Sequence, residues 1–430
     1  MTYTAVVHPV ERSGSHKSAR DPHLRLNEAC GLAQAIGCDV VFQDVFQLIK
    51  FHPSRLFGGG HLEKLEQVVE QFDLQLLVID GPVTPIQQRN IERALKIKVL
   101  DRTGLILEIF GERAATREGT LQVELAHLEY QRSRLVRTWT HLERQRGGLG
   151  FVGGPGETQI EADRRMIRER ISLLKKRLAD VVRTRRLHRS ARKKVPYPIV
   201  ALVGYTNAGK STLFNALTQS SVLAKDMLFA TLDPTLRRVT LPSGDDILLA
   251  DTVGFISDLP TQLVAAFRAT LEEVLEADII VHVRDISHPE TKIQRDEVLL
   301  VLEELGVERH EHEKIIEVAN KIDLLADDED QLPTAVQDYD IAMSAEKKWG
   351  LDQFTALVER KIQAHREFYK LWLPVDRQDI VAWFHRHGAI IQEIPSDDYL
   401  HLDLLVQLDA RLLGTFCGKF VEFKESLSKV

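Results

Sequence analysis

The sequence predicts an α/β protein assembled from several units, and three observations carry that prediction. Up to residue 115, short apolar runs alternate with helix-period stretches. From 119 to 181, apolar residues recur at heptad spacing around a glycine-rich interruption, and at 198–218 an apolar run turns through glycines into an amphipathic helix. A chain of 430 residues also exceeds what one hydrophobic core usually serves. With 44% hydrophobic and 28% charged residues the composition is globular, and no apolar run is long enough to cross a bilayer. The start, MTYTAVVHPVERSG, has neither the basic end nor the apolar core of a secretory signal. A cytoplasmic protein is expected, with peripheral membrane attachment left open. Cys30, Cys38 and Cys417 form no CxxC pair and are expected as free thiols, while His61, His127 and His141 lack zinc-ligand spacing.

Residues 1–115 read as an N-terminal α/β domain. TAVVHPV, CDVVFQDVF, LQLLVID and KIKVLD are strand-like, helices are expected over 24–36 and 61–72, and the alternation implies a largely parallel sheet. The glycines of FGGGHLEKL are expected to serve a tight connection rather than an anion site.

Residues 116–195 read as a long antiparallel helical hairpin. Leu121, Leu125, Leu128, Leu135, Trp139 and Leu142 form one heptad seam, and Ile160, Ile167, Ile171, Leu174, Leu178 and Val181 form a second. Two arms of about 25 residues would each reach roughly 35–40 Å. Between them lies RGGLGFVGGPGETQIEADRR, whose GLGFVG matches the dinucleotide fingerprint GxGxxG but follows a helix where that fingerprint needs a strand. The glycines are therefore expected at a hairpin tip. The net charge of −7 hides an asymmetry, because Arg164 to Lys194 carries fourteen Lys or Arg against Glu169 and Asp180. So one-sided a run suits a polyanion better than solvent, and a phosphate backbone is the expected partner. Arg144, Arg146, Gly148, Gly150, Phe151, Arg164 and Arg165, at and beside the tip, are the candidate RNA contacts.

Residues 196–366 carry the nucleotide signature. After the linker-like KKVPYP, PIVALV leads into Gly204, Tyr205, Thr206, Asn207, Ala208, Gly209, Lys210 and Ser211, which match GxxxxGK[ST], and then, from Thr212, into a helix. Backbone amides would face phosphates, Lys210 would reach the β and γ oxygens, and the Ser211 hydroxyl would ligate Mg2+. Asp251, Thr252, Val253 and Gly254 match DxxG, with Asp251 acting on Mg2+ through water and the Gly254 amide sensing the γ-phosphate. Lys210, Asp251 and Gly254 are the catalytic candidates. Asn320, Lys321, Ile322 and Asp323 resemble the NKxD motif of GTPases, in which the aspartate accepts from guanine N1 and N2 and adenine offers no such pair. Ser344 and Ala345 stand where the base-contacting turn of those GTPases belongs.

The switch loop is expected at Phe229, Ala230, Thr231, Leu232 and Asp233. By resemblance to the spacing in related GTPases Thr231 is the second Mg2+ ligand, with Thr235 the alternative. Where Ras-type enzymes place a glutamine after DxxG, this chain has Phe255, which cannot orient a water, so slow intrinsic hydrolysis and stimulation by a partner are expected. Asn207 resembles the asparagine that holds K+ in some relatives lacking that glutamine. Residues 367–430 read as a small C-terminal α/β extension, with DIVAWFHRHG helical and AIIQEI and HLDLLVQL strand-like.

The P-loop, DTVGF, NKID, the hairpin and the stretch DRTGLILEIFGERAATREGTLQVELAHLEY together resemble the HflX family of ribosome-associated GTPases, within the Obg-HflX group. The resemblance implies a P-loop GTPase domain with a mixed, mostly parallel sheet, binding GTP with Mg2+. It also implies binding to the large ribosomal subunit and 70S ribosomes rather than DNA, and GTP-dependent splitting of stalled or stress-inactivated ribosomes, the hairpin tip near the peptidyl-transferase centre. A monomer is expected on the ribosome. Two other readings remain: a ribosome anti-association or assembly factor for which GTP is only a conformational switch, and a tRNA-modification GTPase. The last rests on Phe416-Cys417-Gly-Lys, which those enzymes carry at their end, whereas thirteen residues follow Cys417 here.

Overall fold

The computed structural model describes residues 2–12, 20–145, 155–192, 197–218, 229, 235–258, 273–307, 313–326, 339–364, 366–387, 389–396, 400–408, 410–424 and 426–430. Of these, 135–145, 155–160, 185–192 and 410–411 are described as backbone alone. Three sheets organise it.

The first sheet holds β1 (Thr2–Glu11), β2 (Cys38–Leu48), β3 (Leu76–Ile79) and β4 (Lys98–Asp101) in the order β2-β1-β3-β4, with every pair parallel as the alternation implies. Helices α1 (Pro22–Ala35), α2 (Gly59–Phe72), α3 (Pro85–Leu95) and α4 (Arg102–Arg113) accompany it. All four residues of β3 are buried, because the sheet has a core on each face: Val6 and Val78 point into one, Val7, Leu77 and Ile79 into the other. In FGGGHLEKL, Gly58 caps α2 and Gly59 opens it, so the glycines belong to the helix start. The alternation read from the sequence omits α3 and α4. Polar α3 buries only Gln87, Ile91 and Leu95, and is held by a capping box between Thr84 and Gln87. Helix α4 is buried along most of its length and shows no clear period.

Helices α5 (Arg117–Gln145) and α6 (Pro155–Arg192) form the two arms. At 29 and 38 residues they are longer than the sequence spacing suggested, because the basic run continues the second helix beyond its apolar seam. Leu121, Ile171 and Leu174 are buried, whereas Val123 and Ala126, off the seam, join the core of the first unit, which fixes the base of the hairpin. Arg170–Glu124 (2.6 Å) and Lys175–Glu129 (3.0 Å) tie the arms on their outer side.

The second sheet has the order β10-β9-β8-β5-β7-β6: β5 (Ile199–Val203), β6 (Thr235–Thr240), β7 (Asp246–Asp251), β8 (Ile279–Asp285), β9 (Ile315–Asn320) and β10 (Ile341–Ala342). Only β6 runs antiparallel, on the edge beside β7. Helices α7 (Lys210–Thr218), α8 (Thr291–Leu305) and α9 (Leu351–Ala364) pack with it. The strand read in DIAMSA stops after two residues, since Ser344 closes a turn with Trp349.

The third sheet, order β12-β13-β11-β14, is antiparallel: β11 (Glu367–Pro374), β12 (Ile390–Pro395), β13 (His401–Leu408) and β14 (Leu427–Lys429), with α10 (Gln378–Arg386) after β11 and α11 (Ala410–Lys419) after β13. This is a βαββαβ unit. Along β11 Tyr369, Leu371 and Leu373 are buried with α10 and α11 while Phe368, Lys370 and Trp372 face out, the alternation of a sheet covered on one side.

Candidate nucleotide site

The site forms where the parallel strands of the second sheet end, the place such sheets usually bind ligands. Strand β5 feeds the loop Gly204–Gly209 and α7 begins at Lys210. Gly204 has φ +148 and Gly209 φ +95, and a Cβ on Gly204 would strike the Val283 carbonyl of β8, so these glycines let the loop lie against its neighbours. Asn207 is exposed and also left-handed at φ +59.

Lys210 is buried, its Nζ donating to the carbonyls of Gly204 (3.1 Å) and Tyr205 (2.8 Å). Burial, set against the nearby Asp251 charge and reinforced by Lys321, pushes this ammonium down to about 8. Strand β7 delivers the fully buried Asp251, whose Oδ2 accepts from the Ser211 hydroxyl at 2.8 Å. A hydroxyl and a carboxylate meeting beside the phosphate loop are the oxygen donors a hard cation such as Mg2+ takes. The Thr252 hydroxyl is spent on the Leu202 carbonyl (2.6 Å), and a Cβ on Gly254 would come within 2.9 Å of Thr206 Cα, so DxxG and the P-loop are in contact.

At the base-recognition end the fully buried Asn320 amide braces two loops: Nδ2 donates to the Ala208 carbonyl (2.8 Å) and Oδ1 accepts from the Ala345 N–H (3.0 Å). Asn320 thus holds the site together through protein partners. Lys321, at φ +66, pairs with Asp285 (2.9 Å), and Asp323 stands partly exposed in a 3-10 turn at Ile322–Leu324. Ser344 is buried and its hydroxyl accepts from the Lys347 N–H (3.0 Å), which fixes the turn carrying Ala345.

Of the switch loop only Phe229 is described; it is buried edge-on against Phe110 of α4. Ala230, Thr231, Leu232 and Asp233 lie outside the described residues, as do Arg146, Gly148, Gly150 and Phe151, and Arg144 is described as backbone alone. Thr235, the alternative Mg2+ ligand, starts β6 opposite Asp251. Phe255 is buried in the core, and its backbone pairs with the P-loop through Thr206 N–H to Phe255 O (2.8 Å) and Phe255 N–H to Gly204 O (3.1 Å).

Sequence reasoning missed a buried polar network joining this site to the first unit. The Tyr205 hydroxyl bonds to Glu28 of α1 (2.7 Å) and to the Ser257 hydroxyl (2.6 Å), and it accepts from the Ser257 N–H (2.9 Å) and from Arg20 (3.0 Å). Arg20 continues to Glu290 (2.7 Å). Arg102 bonds to Glu28, to Asp80 (2.6 Å) and to the Ser257 carbonyl (3.1 Å), and Arg25 bonds to Asp258 (2.5 Å). Burial alone would raise the carboxyls of Glu28 and Asp80, but Arg102 and Arg20 at the first, and His8, Arg102 and Arg25 at the second, hold both well below the usual range. Partners here lie as far as 270 residues apart, and no local pattern announces them.

A glycine-lined phosphate loop, a DxxG aspartate on the adjacent strand and a guanine-type NKxD turn on one parallel sheet define a P-loop GTPase. Three family models match the chain: GTP-binding GTPase N-terminal over residues 23–111, GTP-binding GTPase Middle Region over 113–192, and 50S ribosome-binding GTPase over 199–321. The GTPase HflX of Magnetococcus marinus is 48% identical over 404 residues, 94% of this chain and 92% of that one, and the GTPase HflX of Escherichia coli K12 is 44% identical over 81% of each. The crystal structure of SsGBP in complex with GDP superposes with a TM-score of 0.50 at 25% identity, covering 84% of this chain and 98% of that one. The chain belongs to the HflX GTPase family and is a GTP-hydrolysing enzyme. Among the described residues no helix is long and apolar enough to cross a membrane.

Proposed function

We propose that this GTPase binds the large ribosomal subunit and 70S ribosomes and uses its GTP cycle to split stalled or stress-inactivated particles, with the hairpin reaching toward the peptidyl-transferase centre. The observation that carries this reading is the second arm. Along it Arg165, Arg168, Lys176, Arg177 and Arg183 are exposed on a helix of 38 residues, about 57 Å at 1.5 Å per residue. A rod of this length and charge meets ribosomal RNA through phosphates, and a tip rich in glycine approaches crowded backbone closely. The description of one matching family model, 50S ribosome-binding GTPase, points the same way.

Within the site, Lys210 and the loop amides bind the β and γ phosphates, Asp323 selects guanine, and Gly254 senses the γ-phosphate. Ser211 and Thr231 would hold Mg2+, with Asp251 supporting it through water, and the ion would supply positive charge against the phosphates. Potassium is proposed beside Asn207. The segments 1–115, 116–195, 196–366 and 367–430 are taken as four domains. Sucrose-gradient sedimentation of 70S ribosomes with the full chain and GTP, a non-hydrolysable analogue or GDP tests the reading. Co-sedimentation and subunit release that need a triphosphate are expected; absence of both overturns it.

A further inference from the structure

The replacement of the usual glutamine by Phe255 leaves open what orients the water that attacks GTP. The Phe255 ring is buried in the core and its backbone is bound to the P-loop, so this position offers the water no polar side chain. The polar side chains around the phosphate loop are mostly committed. The Tyr205 hydroxyl belongs to the interdomain network, Lys210 Nζ faces loop carbonyls, and the Ser211 hydroxyl bonds Asp251.

Thr206 differs from all of these. It is 7% exposed, and its Oγ1 is buried with no hydrogen-bond partner among the described residues. A buried hydroxyl left unpaired is costly, and at a functional site it calls for a partner beyond the described residues. Its backbone N–H is already given to Phe255, so the hydroxyl is the hydrogen-bond donor this residue has left to offer a ligand. The position is also informative. Thr206 packs its Cα and methyl group against Gly254, the residue after which the water-orienting glutamine usually comes, and it borders a cleft of about 490 Å3 between the P-loop, α1 and α8, which gives water a path to the loop.

We propose that Thr206 is a catalytic residue of GTP hydrolysis, its hydroxyl accepting a hydrogen bond from the attacking water and donating one to a γ-phosphoryl oxygen. In that step the water oxygen bonds to the γ phosphorus, the bond to the β–γ bridging oxygen breaks with its electron pair staying on GDP, and the water proton leaves with the released phosphate. Thr206 ends with the proton it began with. Its contribution is orientation, which a fixed hydroxyl supplies and a methyl group does not.

The inference rests on the GTPase activity and not on ribosome splitting, so the test uses the full chain without ribosomes. Single-turnover hydrolysis at saturating GTP is compared for wild type, Thr206→Val and Thr206→Ser, alongside equilibrium binding of GDP and a non-hydrolysable GTP analogue. Val keeps the shape and loses the hydroxyl, so hydrolysis at least about 10-fold slower is expected, with GDP affinity within about twofold of wild type and analogue affinity, which includes the γ-phosphoryl contact, falling by less than the rate. Ser keeps the hydroxyl and should stay within about threefold of the wild-type rate. Wild-type hydrolysis by the Val variant overturns the proposal. So does an equal loss in Val and Ser, or a loss of GDP affinity that matches the loss of rate.

Discussion

The first and last units are attached to the GTPase domain by opposite means. The first unit meets it through buried charge: Arg20, Glu28 and Arg102 converge on Tyr205 of the P-loop and Ser257 just past DxxG. Near the third sheet, polar contacts such as Gln407 to the Gln363 carbonyl (3.4 Å) are found, and its own core is built around Phe384 and Phe416. A buried charge without its partner is expensive, so the first junction admits few geometries, whereas a solvated amide contact can be exchanged for water. Among the described residues, the first junction is the one seen to bond the nucleotide loop through Tyr205.

Removing Arg102 should break the contrast hardest. Arg102→Ala leaves Glu28 and Asp80 short of a cation in a buried setting, and about 3–5 kcal/mol of unfolding free energy should be lost in urea titration. A loss no larger than that of an exposed arginine would show that the network is not tightly coupled. Acid comes next. The carboxyls of Glu28 and Asp80 are lowered in the folded chain, so their stabilisation is fully present above their unfolded values near about pH 4 and is lost as pH falls through the depressed ones. Hydrogen exchange between pH 6 and 3 should show α1 and α4 losing protection more steeply than α10 and α11; the reverse order would remove the distinction. The smallest effect is expected at the other end. Cutting the chain after residue 366 should leave single-turnover GTP hydrolysis unchanged, and a large loss would reveal a coupling that the contacts do not show.

The same contrast explains what the sequence discloses. The P-loop, DxxG and NKxD are legible because their chemistry is contiguous: a strand must end, glycines must admit phosphates and the lysine must follow at once. The parallel first sheet is legible from alternation, although α3, too polar, and α4, too apolar, escape a reading based on period. The polar junction is illegible because Arg20 and Glu290 meet only in three dimensions. Thr206 stands among the nucleotide residues in the sequence, but that its hydroxyl has no partner among the described residues becomes visible only in three dimensions.

Asn320 has a consequence for redesign. One amide clasps the Ala208 carbonyl behind the phosphate loop and the Ala345 N–H of the base-side turn, and the same side chain blocks any Cβ at Gly209. Asp323, the proposed guanine reader, stands partly exposed in its turn. Asn320 is instead a keystone shared by two loops, and altering it would loosen both together.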